Sequence, residues 1–313
     1  MSRTSAESSL TSPSPAYNPW KLGGLSLREL SRRLWRESLS DELLGRAAQL
    51  SYYVLLALFP ALIFLTALMG VFSVENYMPQ LMGYLRQVLP NDALSMVERF
   101  LRQVTEGSGT NILSLGGLGA LWASSSGMTA IMDALNVVYG VKTDSRPFWR
   151  VRLTAIALTV GLAGFVILSL TLVLYGPSIG AWIADLVGLG RVFTLTWNLL
   201  QWPVVAGVML FVVGVIYYVC PDIHQDWRWV SPGSVFAVVM WLVVSMGFKV
   251  YVDNFGDYNK VYGSIAGVIV LMLWFYWSGM VLLLGGEINA EIEHAATERQ
   301  QTAGETSENR QAA

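Results

Sequence analysis

The chain has 313 residues, of which 54% are hydrophobic and only 13% are charged, and its mean hydropathy is +0.48. Soluble domains carry about 25% charged residues, so this composition excludes an ordinary soluble protein. The net charge of −2 provides no overall positive field for phosphates. We therefore expect no nucleic-acid partner.

The charged side chains, 20 basic and 22 acidic, are distributed very unevenly along the chain. Six stretches contain none of them, and each can hold the roughly 20 apolar residues that cross a bilayer as a helix. The pattern predicts an all-α fold, a polytopic membrane bundle of six transmembrane helices. The uncharged stretches are residues 47–74, 107–132, 153–184, 192–221, 229–248 and 261–286.

The two ends of the chain differ from this central part. Residues 1–24, rich in Ser and Pro, and residues 296–313, rich in Gln, Thr, Glu and Ala, offer too little apolar surface to bury a core. We predict that both are disordered cytoplasmic tails. Residues 25–295 then form the transmembrane domain together with an N-terminal interfacial helix.

Amphipathic stripes predict interfacial helices in addition to the spans. Leu27, Leu30 and Leu34 recur at helical spacing among four arginines, which is typical of a basic helix on the inner membrane surface. Similar stripes within residues 78–104 and at residues 179–187 predict helices on the opposite face of the membrane. Charged residues interrupt both segments, so we expect that neither crosses the bilayer.

Small residues predict where helices approach one another closely. Gly116, Ala120 and Ser124 repeat every four residues in the second uncharged stretch, and Ala157 and Gly161 do so in the third. Such surfaces let two helix backbones pack at short range.

The distribution of Lys and Arg predicts the orientation in the membrane, because basic residues are retained on the cytoplasmic side. With six spans, seven basic residues precede the first span, four lie in residues 140–152, one lies in residues 222–228 and two lie in the C-terminal tail. That side has fourteen, and the opposite side has six. We therefore predict that both termini are cytoplasmic.

Polar groups near a membrane interior need partners, so they are the most informative residues of the spans. Several lie at the predicted cytoplasmic ends of the first, second and sixth spans, where Arg46 is the cation expected to neutralise the carboxylates. They predict either a shared polar vestibule for a substrate or helix-end groups that pair with one another and with lipid headgroups. These residues are Arg46, Gln49, Ser126, Thr129, Asp133, Asn136, Glu287, Asn289 and Glu291.

Catalytic and metal-binding patterns are largely missing from the sequence. Its two histidines, His224 and His294, are too few for a histidine-rich metal site. Asp222, His224 and Asp226 alternate in a short loop, a pattern more typical of a solvated turn. Glu291 and His294 match only half of a di-iron pattern, and no phosphate-binding loop or nucleophile elbow occurs. We predict no enzyme activity, no catalytic residue, no metal and no cofactor.

Several motifs in combination resemble the YihY/BrkB family of bacterial inner-membrane proteins. The resemblance covers about residues 30 to 293. It implies a six-span inner-membrane protein with a role in envelope biology, where some members have associations with serum resistance and suggestions of lipid handling. It implies no settled biochemical activity. The motifs are Ala134-Leu-Asn-Val-Val-Tyr-Gly140, Arg146-Pro-Phe-Trp149, Tyr218-Val-Cys-Pro-Asp222, Tyr262-Gly-Ser-Ile-Ala-Gly, Leu273-Trp-Phe-Tyr-Trp and Leu284-Gly-Gly-Glu-Ile-Asn-Ala-Glu291.

The older label of that family, ribonuclease BN, conflicts with this sequence. An RNA hydrolase needs a metal or an acid–base site together with a basic track for phosphates. The sequence shows neither, so we do not expect a nuclease.

Two functions of different classes remain. The first is a transporter or lipid-translocating protein for envelope maintenance, with the polar vestibule open to the cytoplasm and membrane lipids as partners. The second is a non-transporting membrane scaffold or docking partner for envelope proteins, which the lack of charge in the middle of the spans favours. A membrane-embedded groove of lipid width would favour the first function, and a solid bundle the second.

Overall fold

The computed structural model shows helices joined by turns in the part of the chain that it describes. That part comprises residues 18–71, 82–83, 86, 94–95, 98–99, 110–187, 190–223, 225, 230–255 and 266–311. No strand occurs among these residues, which confirms the predicted all-α fold.

Seven α-helices and one short 3-10 helix have defined bounds. The 3-10 helix is Pro19–Gly24, and the α-helices are α1 Leu27–Ser40, α2 Leu43–Val71, α3 Thr110–Val138, α4 Phe148–Val187, α5 Gly190–Val219, α6 Pro232–Phe255 and α7 Ala266–Gln311. Each of the helices α2 to α7 covers most of one uncharged stretch. The distribution of charge therefore located the long helices correctly.

Four helices contain segments that are long and apolar enough to cross a membrane, within the residues that the structure describes. The segments are Leu43–Phe64, Phe148–Ser169, Pro232–Val252 and Ala266–Thr302, and a shorter apolar segment is Pro203–Val219. Large apolar side chains on these helices point outward, for example Leu168, which is 59% exposed, and Met246, which is 71% exposed. An exterior of this kind fits a lipid environment. The chain is therefore a multi-pass membrane protein.

The buried core lies where α2, α3 and α7 meet. Leu43 of α2, Met132 and Leu135 of α3, and Leu283 of α7 are almost completely buried there. α7 also packs against α6 and α1, while α4 packs against α3 and α5. Lipid is as apolar as these side chains, so close packing, rather than escape from water, holds such helices together.

α6 and α7 approach each other closely at Gly233 and Gly285. A Cβ atom on either glycine would overlap the carbonyl oxygen of the other, so a larger residue at either position would push the helices apart. The sequence pattern pointed elsewhere: around Gly116 and Gly161, no described atom lies within 4 Å of an added Cβ atom. Small residues permit close packing on a helix face, but the neighbouring helix decides which face is used.

The N-terminal segment contains structure where the composition predicts a disordered tail over residues 1–24. Residues 19–24 form the 3-10 helix, in which Pro19 and Gly23 are buried. Gly23 has a φ of 59°, and its Cα lies so close to the backbone of Ile292 that no side chain would fit. The surface of α7, which no local sequence window contains, orders this segment.

The C-terminal segment also differs from its prediction. α7 continues to Gln311, through most of the tail 296–313 that the composition predicts to be disordered. No proline interrupts the sequence from Ala266 onward, and the Ala, Glu, Gln and Arg residues of this segment favour helix.

Of the predicted interfacial helices, the segment around Leu27, Leu30 and Leu34 is helical and forms α1, and its position on the membrane surface stays a prediction. Leu30 is buried against α7, whereas Leu27 is 75% and Trp35 72% exposed, so one face of α1 contacts the protein and another is free for the membrane. Residues 179–187 continue α4 and do not form a separate helix. A helix of 40 residues is about 60 Å long, about twice the hydrocarbon thickness, so α4 extends beyond it. Most of residues 78–104 lie outside the described residues.

Candidate functional site

Many of the described polar side chains lie at one end of the bundle. This end, which we call the α1 end, comprises α1, the last turns of α3 and α5, the first turns of α2 and α6, and the α7 residues from about Gly286 onward. Two polar groups can be distinguished there. One joins α3 to α5, and the other lies beneath α1.

The first group is a hydrogen-bonded network between the loop after α3 and the end of α5. Asn136, which is buried, donates from Nδ2 to Oδ2 of Asp144 at 3.0 Å and accepts at Oδ1 from the backbone N–H of Asp222 at 2.8 Å. The Asp222 carboxylate accepts from the backbone N–H and from the hydroxyl of Ser145, both at 2.6 Å. One amide side chain thus joins two loops.

Arg146 supplies the positive charge of this network. Its Nη2 lies 2.7 Å from Oδ2 of Asp144, and its Nε lies 3.6 Å from Oδ1 of Asp222. It also donates to the carbonyl oxygens of Val219 at 3.3 Å and Cys220 at 2.8 Å. These carbonyls end α5, so the guanidinium satisfies orphan acceptors at the negative end of the helix. We call Asn136, Asp144, Arg146 and Asp222 the loop network.

Charge pairing in the loop network fixes its ionisation. Hydrogen bonds from the Arg146 guanidinium outweigh burial and lower the pKa of Asp144 to about 2. The same pairing raises the pKa of Arg146 above its usual value. Burial raises the pKa of the adjacent Cys220 thiol to about 12, so the single cysteine of the chain stays neutral.

The second polar group consists of Glu287 and Glu291 of α7, which we call the carboxylate pair. Glu287 is 2% exposed and Glu291 is 6% exposed. Nη1 of Arg33, on α1, lies 3.8 Å from Oε2 of Glu291, and its Nη2 lies 3.3 Å from Oε2 of Glu298. Neither Oε2 of Glu287 nor Oε2 of Glu291 has a hydrogen-bond partner, and no described cation forms an ion pair with Glu287. One carboxylate therefore faces a cation, and its neighbour one turn earlier does not.

Asn289 belongs to neither group, because it holds the beginning of α6. Its Oδ1 accepts from the backbone N–H of Gly233, and its Nδ2 donates to Oγ of Ser231, both at 2.9 Å. The first N–H groups of a helix lack partners within the helix. Asn289 thus supplies from α7 a cap that α6 needs.

Arg46 and Gln49 lie at the beginning of α2. Nε of Arg46 donates to the carbonyl oxygen of Asp41 at 2.8 Å, in the turn between α1 and α2, and Gln49 is exposed. Burial, followed by repulsion from Glu37, raises the pKa of Asp41. The neutralisation of the vestibule carboxylates by Arg46 stays a prediction.

The remaining predicted residues lie on α3. Thr129 donates to the carbonyl oxygen of Ser125 at 3.1 Å within the helix, and Asp133 is exposed. Ser126 accepts from Nη1 of Arg152, on α4, at 3.3 Å. Arg152 also donates to the carbonyl oxygen of Trp122 and lies over its ring, 4.1 Å from the centroid. These contacts tie α3 to α4.

The nine predicted residues thus occupy different local environments at the α1 end, and the shared vestibule stays a prediction. The structure brings Glu287 and Glu291 together beneath α1, and it places Asn136 in the loop network. Sequence reasoning missed Asp144, Arg146 and Arg33 as partners, because it considered only Arg46 as a partner of the carboxylates and used the other basic residues for orientation and for the interfacial helix. The close spacing of Asp144 and Arg146 just after α3 was the available signal.

An apolar cavity lies among helices α2 to α7. Its volume is about 270 Å³, and its lining includes Phe165 of α4, Val213 of α5 and Leu282 of α7. Two polar side chains, Trp241 and Ser278, also line it, and Nε1 of Trp241 donates to Oγ of Ser278 at 3.2 Å. These two groups satisfy each other, so the cavity wall is almost entirely apolar.

The alternating Asp-His-Asp pattern does not form a described metal site. Asp222 belongs to the loop network, and His224 and Asp226 lie outside the described residues. Within the described ranges, no group of three His, Cys, Asp or Glu side chains converges on one point.

A family model and several related proteins match most of the chain. The family model described as virulence factor BrkB matches residues 34–310. The ribonuclease-like protein YfkH of Bacillus subtilis (strain 168) is 40% identical over 246 residues, which cover 79% of this chain and 88% of that protein. A UPF0761 membrane protein of Tolumonas auensis is 28% identical over 289 residues, 86% of each chain.

A UPF0761 membrane protein of Stenotrophomonas maltophilia (strain R551-3) is 27% identical over 278 residues. The match covers 83% of this chain but 60% of that longer relative. No solved structure matches the chain. The ribonuclease-like name describes the Bacillus protein alone. The family model includes the whole of α2 to α6, the loop network and the carboxylate pair, so this chain belongs to the BrkB (YihY) family of membrane proteins.

Proposed function

We propose that this protein is a six-span inner-membrane protein that binds an acyl chain of a membrane lipid between its helices and moves that lipid as part of envelope maintenance. The observation that carries the proposal is the apolar cavity among α2 to α7. A membrane-embedded space of this kind is what a lipid-handling protein requires, and a solid bundle would lack it.

The chemistry of the cavity favours an acyl chain over a polar substrate. A cavity lined by Leu, Ile and Phe side chains stays dry and takes up apolar molecules even at about 150 Å³. A sugar or an ion would lose its hydration there without gaining partners, since Trp241 and Ser278 already bond each other. The volume of about 270 Å³ lies near the lower end of ligand sites, roughly 300–1,000 Å³. It suits part of an acyl chain.

The position of the cavity suits entry from the bilayer. Leu162 of α4 lines the cavity and is also 38% exposed, so apolar surface continues from the cavity wall toward the outside of the bundle. An acyl chain that enters beside α4 remains in contact with apolar atoms throughout.

The polar α1 end supports the same proposal, as the place for a lipid headgroup. Glu287 follows Leu282, a cavity residue, by five positions, which is about 7.5 Å along the axis of α7. A headgroup near the predicted vestibule and an acyl chain in the cavity are therefore within the reach of one lipid molecule.

The proposal includes the predicted topology. α3 and α5 fill the two uncharged stretches beyond the four helices of spanning composition, which supports a six-span arrangement. The fourteen-to-six asymmetry of basic residues supports a cytoplasmic location of both termini. Reporter fusions after residues 145 and 300 should then be cytoplasmic, and fusions near 92 and 256 periplasmic. A periplasmic signal at 300 would contradict the six-span arrangement.

A phospholipid with a photoreactive acyl chain tests the cavity directly. We expect cross-linking to peptides of α5 and α7 in the wild type and a several-fold loss in Val213→Trp, because the indole fills the cavity. Val204→Trp is the matched control, since Val204 lies on the same helix and is 43% exposed outside the cavity lining. Equal labelling of both variants would contradict binding in the cavity.

Reconstitution separates transport from scaffolding. Proteoliposomes with a fluorescent phospholipid should exchange that lipid between leaflets faster with the wild type than with Val213→Trp. Lipid cross-linking without faster exchange would support the second function, a lipid-bound scaffold for envelope proteins.

A further inference from the structure

The carboxylate of Glu287 stands out among the described acidic groups. Its residue is 2% exposed, and its Oε2 is buried without a hydrogen-bond partner. Among the described residues, no cation forms an ion pair with it. Oε2 of Glu291, one turn further along α7, is also buried without a hydrogen-bond partner, but the Arg33 guanidinium lies 3.8 Å from it. The two carboxylates therefore differ in their ion pairing. The same helix thus presents a paired and an unpaired carboxylate.

The charged groups near Glu287 do not neutralise a negative charge on its carboxylate. Glu37 of α1, Asp41 of the α1–α2 turn and Glu291 of α7 all repel a negative charge at this position. Arg33 is directed to Glu291 and Glu298, and Arg46 of α2 donates to the carbonyl oxygen of Asp41. The electrostatic effect of His294 is on Glu291 and favours its ionised form.

The other helices around this part of α7 add no described charge. α3 meets it through Leu135 and Val138, which lie against Gly286. Tyr217 of α5 donates its hydroxyl to the carbonyl oxygen of Leu282 at 2.7 Å. α6 contributes Ser231 and Gly233, which Asn289 already holds.

Either a bound metal ion or a bound proton could neutralise the Glu287 carboxylate in this buried position. An ionised carboxylate that is buried without a partner costs several kcal/mol, and three acidic neighbours increase that cost. A metal ion would need several converging oxygen ligands, and no group of three His, Cys, Asp or Glu side chains converges among the described residues. A bound proton needs only the carboxylate itself.

We propose that Glu287 is a proton-binding site, which takes up a proton from the α1 end and releases it to the same side. The exchange is complete in itself: the carboxylate and one proton form the carboxylic acid, and no further reactant is needed. Glu37 and Asp41 are close enough to Glu287 to repel its charge, and the Glu37 side chain is 37% exposed, so the acidic groups around the site include one that reaches water. The inference goes beyond the proposed function and does not depend on a lipid in the cavity.

Dicyclohexylcarbodiimide tests the site, because this apolar reagent modifies protonated carboxyl groups in membranes. We expect mass spectrometry of the full-length protein in liposomes to find an adduct on Glu287 at neutral pH and little or none on Glu291. The adduct on Glu287 should decrease by roughly tenfold per pH unit across the range in which the acid ionises. Glu287→Gln should remove it. Labelling that does not change between about pH 5 and pH 10 would overturn the proposal.

The neighbouring ion pair provides a matched control. Arg33→Gln removes the cation from Glu291, and we expect Glu291 to become reactive as well. Failure of that variant to label would overturn the argument from pairing. Protection of Glu287 by Na⁺ or K⁺ at constant pH would assign a metal cation in place of the proton.

Infrared spectroscopy covers the case in which the reagent does not reach the site. The carbonyl band of a protonated carboxylic acid should be present in the wild type, shift in D₂O and disappear in Glu287→Gln. Absence of both the adduct and the band would overturn the proposal. Neither measurement involves lipid binding, so failure here and failure of the cavity proposal are distinguishable.

Discussion

The loop network and the carboxylate pair lie at the same end of the bundle but handle buried charge in opposite ways. In the loop network, Asp144 and Asp222 share the guanidinium of Arg146, and both receive further hydrogen bonds. In the carboxylate pair, Glu291 has a cation at 3.8 Å, and Glu287 has only acidic neighbours. A satisfied network holds loops in place, whereas an unsatisfied carboxylate can change its protonation.

The origin of this difference lies in where the partners come from. Asp144 and Arg146 are two residues apart in one loop, so this ion pair does not depend on how the loop packs against the rest of the protein. Glu287 lies on a helix and depends on whatever packs against that face, which here is the acidic end of α1. Four changes break or sharpen the comparison, in decreasing order of expected effect.

Arg146→Ala should have the largest effect, because it leaves two carboxylates and the carbonyls at the end of α5 without their donor. Removal of one partner from a buried ion pair costs 3–5 kcal/mol, and partial exposure places this case at about 3 kcal/mol. Denaturant unfolding of the purified protein in detergent measures the loss. Arg150→Ala is the control, since Arg150 is exposed and lies over Trp149, a contact of about 1 kcal/mol or less. Equal losses would show that the network is not stabilising.

Asn136→Ala should be the next most damaging change. It removes one hydrogen bond to Asp144 and leaves the backbone N–H of Asp222 without an acceptor, which costs roughly 1–3 kcal/mol. The double variant with Arg146→Ala should lose less than the two single losses added together, because both residues act in one network. Gln49→Ala, at an exposed position of the predicted vestibule, should change the free energy of unfolding very little. Additive losses would separate Asn136 from the network.

The pH dependence of the loop network should be confined to acid. The pKa of Asp144 is lowered from its usual 3.8 to about 2, so the folded state favours the ionised form. The stability that Asp144 contributes is complete above its unfolded pKa and is lost as the pH falls through the folded pKa. The stability difference between the wild type and Asp144→Asn should therefore shrink between about pH 4 and pH 2. A constant difference over that range would show that the charge of Asp144 does not matter.

Glu287→Gln should have the smallest effect on stability, within about 0.5 kcal/mol at neutral pH, since the amide resembles the protonated acid in shape and charge. Glu291→Gln is the paired comparison. It should cost up to about 1 kcal/mol, because Arg33 loses one partner but keeps Glu298 at 3.3 Å. A loss of 2 kcal/mol or more for Glu287→Gln would indicate an ionised, paired carboxylate and contradict the proton site.

The sequence was sufficient to locate the helices but not the contacts between their polar groups. Uncharged stretches of spanning length predicted α2 to α7. Lipid excludes charged side chains from a membrane-spanning helix whatever the packing of that helix against its neighbours. Leu27, Leu30 and Leu34 predicted α1 by their spacing alone. These features depend on local composition, which any window of sequence contains.

The contacts between polar side chains could not be predicted from sequence. The depth of a residue in the membrane does not determine which neighbouring helix its side chain faces. Arg46 and Glu287 share a predicted level, but that level did not reveal the hydrogen bond of Arg46 to the carbonyl oxygen of Asp41. Asn136 binds Asp222, 86 residues away, across two helices whose relative rotation no periodicity reveals. The close approach of Gly233 and Gly285 was likewise missed, because the spacing of small residues does not show which helix faces meet.

The packing of α1 on α7 has a consequence for biosynthesis. Arg33 and Glu298 are 265 residues apart, so α1 leaves the ribosome long before its partner exists. At about 5–20 residues per second, the delay is roughly 10–50 s. During that time the arginines and exposed apolar residues of α1, Leu27, Trp35 and Leu39, can keep it on the membrane surface. α1 is thus synthesised early but docks late. In a chain truncated before Glu291, α1 lacks its partner on α7 and remains on the membrane surface.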